Sequence, residues 1–389
     1  MVKTFNYFQP TDIRFGCGRV KEVGDIVAQF GRRCVLVTVP VFGAIEPVIE
    51  KVKKSLLDAG VSFVHFDQVI PNPTTDIVTA GAELARSHNV DVVLGLGGGS
   101  SIDTAKAIAV EASHRGTSWE YLFFRETQPT DKTFPIIAVT TTSGTGSQVT
   151  QVAAITNTKE KRKSAIYNSI IYPRVSIIDP ELTLTVPGHI TASTGFDVFA
   201  HSFEAYIHKN TSPYIEILAL EGIRLVAEHL HTAVRDGSNI EARSAISWAD
   251  TLAGLSIANA GVTLPHGIAM AIGGNCPHVM HGEALAAVYP QFMRFTYPST
   301  IQKFAALARI FKSDLTRATD ETVAKVSCSI IDDFLKKNGM YLTLEDLKVP
   351  ENEIEEIADH TMELPDYTNN PRVATRDEVF KILKKAFRR

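Results

Sequence analysis

Residues 90–109 read VDVVLGLGGGSSIDTAKAIA. Val90 to Leu96 is a short Val- and Leu-rich run closed by glycines, the pattern of a strand buried on both faces of a parallel sheet. Gly97, Gly98 and Gly99 let the backbone turn sharply and approach a ligand. Ser100 or Ser101 is placed to cap the helix that Asp103, Ala105, Lys106 and Ala107 continue. A glycine turn opening into a helix N-terminus aims backbone N–H groups and the positive end of the helix dipole at one point, which suits a diphosphate. The spacing is not G-x-G-x-x-G, and a plain strand-to-helix connection without a ligand uses the same glycines.

Outward from this stretch the pattern repeats. CVLVTV (34–39), VSFVHF (61–66), PIIAV (135–139) and VSIID (175–179) are strand-like, and PVIEKVKKSLLDAG and DIVTAGAELARSHN between them have helical periodicity. Strands alternating with helices predict a parallel, doubly wound, Rossmann-like α/β domain. After Pro135–Val139 comes a hydroxyl-rich loop, Thr140, Thr141, Thr142, Ser143, Thr145 and Ser147 around Gly144 and Gly146. Such a loop offers small donors to phosphate or ribose, or is an ordinary polar loop over a sheet edge. Two such loops at strand ends fit a ligand across the carboxyl edge of an open sheet.

After Pro187 long amphipathic helices take over, among them ITASTGFDVFAHSFEAYI and YIEILALEGIRLVAEHLHTAV, so the division is expected at 1–186 and 187–389, with an all-α second domain. There Asp197 and His201 stand four apart on one helix face, and LPHGIAMAIGGNCPHVMHGEA (264–284) adds His266 and His281. One carboxylate and three imidazoles form the ligand set of a borderline divalent metal with positions left open for substrate. Each part also has a plainer reading: a surface i, i+4 pair for Asp197 and His201, and a turn brace for His266.

The 389 residues exceed the length at which one core stops growing, in keeping with two domains. A formal net charge of −4 and the lack of a basic stripe exclude a nucleic-acid binder. The N-terminus reads as neither a secretory signal nor a membrane span. Cys17, Cys34, Cys276 and Cys328 are scattered without a C-x-x-C, as free thiols in a reducing cytoplasm would be.

GGGSSIDTAK, TTTSGTGSQVT, IIDPELTLTVP, TGFDVFAHSFEAYI and the two HG pairs follow one another as in the iron-containing, group III alcohol dehydrogenases, which the chain resembles over essentially its whole length. The resemblance implies NAD or NADP on the sheet domain and Fe(II), with Zn(II) the alternative, on Asp197, His201, His266 and His281. It implies hydride exchange with a small alcohol or aldehyde. It also carries over Gly98, Gly99 and Ser100 to the pyrophosphate, Asp103 to the ordering of that turn, Thr140, Thr141 and Ser143 to the adenine and ribose side, and Lys163 to the nicotinamide ribose. Lys163 reads equally as part of a solvated basic turn with Lys161 and Arg162. A homodimer or higher homo-oligomer is expected.

The departures from the family pattern matter. Val39 stands where NAD-preferring members carry an Asp for the adenosine ribose, which leaves the choice of NAD or NADP open. Met270 stands where many relatives have a second His near the nicotinamide, with His278 as a candidate substitute, and Gln148 replaces a common Glu. A lyase of the dehydroquinate synthase type, which shares the architecture, and a reductase of aldehydes bearing a sulfonate or phosphonate are the alternative functions.

Overall fold

The computed structural model describes residues 4–41 and 43–388. The chain divides into two compact units, Gln9–Val186 and Pro187–Arg389, the second joined by the N-terminal segment up to Phe8. That segment was expected with the sheet. It groups with the helices because the Phe8 N–H donates to Asn259 Oδ1, Asn259 Nδ2 donates back to the Phe8 carbonyl, and Tyr7 packs edge-on against Tyr214.

The first unit holds β1 (Asp12–Phe15), β2 (Arg33–Val37), β3 (Ser62–Phe66), β4 (Val92–Gly97), β5 (Ile136–Thr140), β6 (Val152–Asn157), β7 (Arg162–Tyr167) and β8 (Val175–Ile178). Its helices are α1 (Val23–Val27), α2 (Glu46–Asp58), α3 (Thr75–Ser87) and α4 (Gly99–Ser113). Six strands form one parallel sheet in the order β1-β8-β5-β4-β2-β3, and β6 and β7 form a separate antiparallel hairpin. All five expected strands are in the sheet.

Side chains alternate between two apolar layers. Cys34, Leu36, Leu94 and Val139 pack with Ile49 and Leu56 of α2, whereas Val35, Val37, Val93 and Ile136 pack with Val78 of α3 and Ile108 of α4. Burial on both faces explains why β4 and β5 read as continuous apolar runs. Leaving aside β1, the strand order is the 2-1-3-4-5 type, whose winding reverses between β2 and β4. Ligands of such sheets bind outside the carboxyl ends at that reversal, where Val39 and the glycine turn lie.

The second unit is all-α: α5 (Gly188–Ile207), α6 (Pro213–Arg235), α7 (Ile240–Ala260), α8 (Leu264–Asn275), α9 (His281–Thr296), α10 (Ile301–Phe311), α11 (Asp320–Lys337), α12 (Ile354–Glu363) and α13 (Arg376–Phe387). Nearly every residue of α5 from Thr191 onward is buried, and its Phe196, Phe199 and Phe203 anchor one large core that includes Tyr289 and Phe292 of α9. Any polar side chain on so enclosed a helix must find a partner inside the protein. No single helix among the described residues is long and apolar enough to cross a membrane.

Candidate metal centre and nucleotide cradle

Asp197, His201 and Glu204 follow one another on α5 at i, i+4 and i+7, a spacing that places all three on one helical face. His266 is the third residue of α8, and His281 opens α9. These helices bring three imidazoles onto one carboxylate oxygen. Asp197 Oδ1 lies 3.7 Å from His201 Nε2, 3.5 Å from His266 Nε2 and 3.9 Å from His281 Nε2. The His201 and His266 rings stack with centroids 4.5 Å apart, and those of His266 and His281 are 5.2 Å apart.

Separations of 3.5 Å and more are too long for good hydrogen bonds. Asp197 Oδ1 and His266 Nε2 are accordingly buried without a hydrogen-bond partner. Ligand atoms held about 2.1 Å from one ion at tetrahedral angles lie roughly 3.4 Å apart, so the cluster has the dimensions of a coordination shell. Asp197, His201 and His266 are each buried, and their ligand atoms fall within 4.8 Å of one another.

The electrostatics agree. Burial would push the Asp197 carboxyl up, but His201, His281 and His266 together hold it down at about 2. Burial works against charge on His266 too, yet Glu204 and Asp197 draw its imidazole up to about 10. A buried position that attracts a proton this strongly is one where positive charge belongs. Behind His266, its Nδ1 lies 2.7 Å from Glu204 Oε1, and Glu204 Oε2 accepts from the N–H and hydroxyl of Thr263 at 2.8 and 3.1 Å.

The sequence pointed to the Asp197–His201 pair and missed Glu204, although the D-x-x-x-H-x-x-E spacing was available to find it. His278 does not join the cluster: it is exposed, with Nε2 3.2 Å from the Leu347 carbonyl. Tightness of packing places His281, because a side chain on the next residue, Gly282, would put its Cβ 2.1 Å from the Ser193 carbonyl oxygen of α5. Only glycine lets the start of α9 come this close.

In the first unit the cradle rests on the glycine turn. Gly97 has φ 147, outside the range of ordinary L residues. Gly99 begins α4, and a Cβ there would lie 2.4 Å from Thr145, so its smallness lets the two loops nest as well as exposing backbone. The expectation that Ser100 or Ser101 caps α4 is not met. Gly98 is the N-cap and no side chain caps the helix, because both serines lie inside the first turn. An uncapped N-terminus of a fifteen-residue helix retains its attraction for an anion.

Thr140, Thr141 and Ser143 are buried at the end of β5, and the Thr141 N–H donates to the Gly97 carbonyl, tying the two strand ends together. Asp103 braces the hydroxyl loop by accepting from Ser147 Oγ at 2.5 Å and from the Ala154 N–H at 3.1 Å. Sequence reasoning overlooked Lys106. Its Nζ is wholly buried and donates to the carbonyls of Ser147, Thr150 and Val152 at 2.7, 2.8 and 2.7 Å. Lys163 lies on β7, buried, with Nζ donating to Asn72 Oδ1 at 2.7 Å. Val39 follows the end of β2, where its carbonyl accepts from the Thr38 hydroxyl.

Residues 10–180 match the model of the iron-containing alcohol dehydrogenases, and residues 191–387 match the C-terminal model of the same family. The chain belongs to the iron-containing alcohol dehydrogenase family. Membership makes it an oxidoreductase of the alcohol dehydrogenase type. Among curated relatives, a choline dehydrogenase of Bacillus subtilis is 36% identical, the alignment covering 99% of this chain and 96% of the relative. An NAD-dependent methanol dehydrogenase of Bacillus methanolicus is 32% identical over 98% and 99% of the two chains. The crystal structure of an archaeal halo-thermophilic alcohol dehydrogenase from a Red Sea brine pool superposes with a TM-score of 0.94, 34% identity, and coverage of 99% of this chain and 100% of that one. Family membership decides against the dehydroquinate synthase-type lyase.

Proposed function

We propose that the protein is a divalent-metal-dependent dehydrogenase of small primary alcohols, with Asp197, His201, His266 and His281 as the metal ligands and a nicotinamide dinucleotide held at the glycine turn of the sheet unit. The observation that carries this reading is the convergence of three imidazole nitrogens on the unpartnered Asp197 Oδ1 in the interior of the helical unit. When bound, the metal acts as a Lewis acid on the substrate oxygen, and the nicotinamide exchanges the hydride with the alcohol carbon.

The chain's own residues supply binding and orientation. Asp197 contributes one negative charge and the histidines neutral nitrogens, a set that accepts Fe(II), with Zn(II) as the other occupant. The uncapped start of α4 with Gly98, Gly99 and Ser100 receives the diphosphate, Asp103 and Lys106 hold the facing hydroxyl loop in place, and Thr140, Thr141 and Ser143 line the adenosine side. Lys163 is presented by Asn72 toward the nicotinamide ribose. Val39 offers no carboxylate against a 2′-phosphate, so NADP(H) is accepted beside NAD(H). Relatives named for methanol, choline and 1,3-propanediol support a short alcohol as substrate without selecting one.

The deciding experiment is His281→Ala. Metal content by elemental analysis is expected to fall sharply and turnover of aldehyde with NADH or NADPH to vanish, while nucleotide binding by calorimetry stays near that of the parent protein. An active variant carrying a full equivalent of metal refutes the ligand set.

A further inference from the structure

We infer that Glu204, which is not itself in the proposed ligand set, is the positioning residue of the metal centre, fixing the tautomer of His266 and the direction in which its Nε2 faces. This rests on the ligand set proposed above and goes beyond it in giving a role to a residue outside that set.

The geometry leaves Glu204 little freedom. Its carboxylate is fully buried, and its two oxygens divide their work: Oε2 accepts from the Thr263 N–H at 2.8 Å and the Thr263 hydroxyl at 3.1 Å, and Oε1 faces His266 Nδ1 at 2.7 Å. An imidazole whose Nε2 lone pair is given to a metal carries its proton on Nδ1, and Glu204 Oε1 is the acceptor that keeps it there. The same contact sets the ring's rotation, because Nδ1 is tied to Glu204 while Nε2 faces Asp197, seven residues or about two turns earlier on α5.

Thr263 provides a second, independent sign. It is the N-cap residue of α8, a position where threonine ordinarily spends its hydroxyl on the helix, yet no side-chain cap is made. Its hydroxyl and its N–H both go to Glu204 instead. A favourable local cap is given up for an arrangement that holds the carboxylate still.

The burial of the helix points the same way. Glu204 lies on the same face of α5 as Asp197, on a helix that is buried almost all round, so its carboxylate is cut off from water and depends on Thr263 and His266 for its polar contacts.

The test compares Glu204→Gln, Glu204→Asp, Thr263→Val and His266→Ala with the parent chain, each stripped of metal and titrated with Zn(II) and Co(II) against a chromophoric chelator. Glu204→Gln keeps the shape but puts an amide N–H₂ where one set of donors must be received. It is expected to weaken metal binding about 10- to 100-fold and to shift the visible Co(II) bands, with NADH affinity unchanged. Glu204→Asp and Thr263→Val, which keep the charge but loosen its placement, are expected to lose affinity by a smaller factor, and they report even if the Gln variant does not fold. A purely structural role would lower the melting temperature and leave the affinities and the Co(II) spectrum alone; that result overturns the inference. If His266→Ala still binds metal as the parent does, the ligand set itself fails; if only His266→Ala loses metal, the role of Glu204 alone fails.

Discussion

Val39 and Asp197 show opposite ways in which one side chain shapes a site. At Val39 the informative fact is a missing charge at the carboxyl end of β2. Restoring it with Val39→Asp gives an acceptor for the ribose 2′-hydroxyl and a repulsion for a 2′-phosphate, so the preference should move toward NAD(H). A charge-assisted hydrogen bond is worth about 1.5–3 kcal/mol, which corresponds to one to two powers of ten in the ratio of specificity constants. Measuring kcat/KM for NADH and NADPH before and after the change checks this; a ratio that stays put or moves toward NADPH shows that Val39 faces something else. The residues that gather on Asp197 were legible in the sequence because an i, i+4 carboxylate–imidazole pair, ambiguous by itself, is followed by His266 and His281 in one Gly- and His-rich run. Glu204 and Lys106 were not. The role of each depends on partners distant in sequence, Thr263 and His266 for the first and the carbonyls of Ser147, Thr150 and Val152 for the second, and no local pattern announces such partners.

Among elements, α4 and the hydroxyl loop after β5 form one device, and Lys106 is its pin. The amine is pushed down to about 8 by burial, with Asp103 opposing. Replacing it by Met leaves three buried carbonyls without their donor and should cost about 3 kcal/mol or more near neutral pH. The pH dependence has a definite sign. Below pH 8 the folded and unfolded chains both carry the proton and the burial penalty is complete; from about 8 to about 10.4 the folded chain has released its proton while the unfolded chain still holds it. Parent stability therefore rises through that window relative to Lys106→Met, by at most about 3 kcal/mol. Urea midpoints of both proteins at about pH 7.5 and about pH 9.5 read the effect, and a gap that narrows at the higher pH contradicts it. The five expected strands were visible because burial on both faces leaves an unbroken apolar run. The edge strand β1 (DIRF) and the hairpin β6–β7 escaped notice, since a four-residue strand with two charges and one beginning RKS look like loop until their neighbours are known.

At the level of the whole chain, the proposed reading gives each unit its own ligand. Metal bound by α5, α8 and α9 would stabilise the helical unit by mass action, on the order of 2.7 kcal/mol at a hundredfold excess over Kd, and would do nothing directly for the strands of the sheet. Hydrogen exchange followed by mass spectrometry, with and without a strong chelator, should show protection lost in 188–207, 264–275 and 281–296 while 92–97 and 136–140 hold theirs. Uniform loss over both units, or none in α5, counts against a metal centre built from these helices.

The close approach of Gly282 to Ser193 also bears on how such sequences should be compared. The glycine is required by the fit of α9 on α5, whereas the histidine before it, in the proposed reading, is there for the ion. A descendant that had abandoned catalysis would remain under pressure to keep the glycine and would be free to drift at position 281. Among kindred sequences, then, the glycine testifies to ancestry and shape, and only the letter in front of it, together with those at 197, 201 and 266, testifies to chemistry still practised.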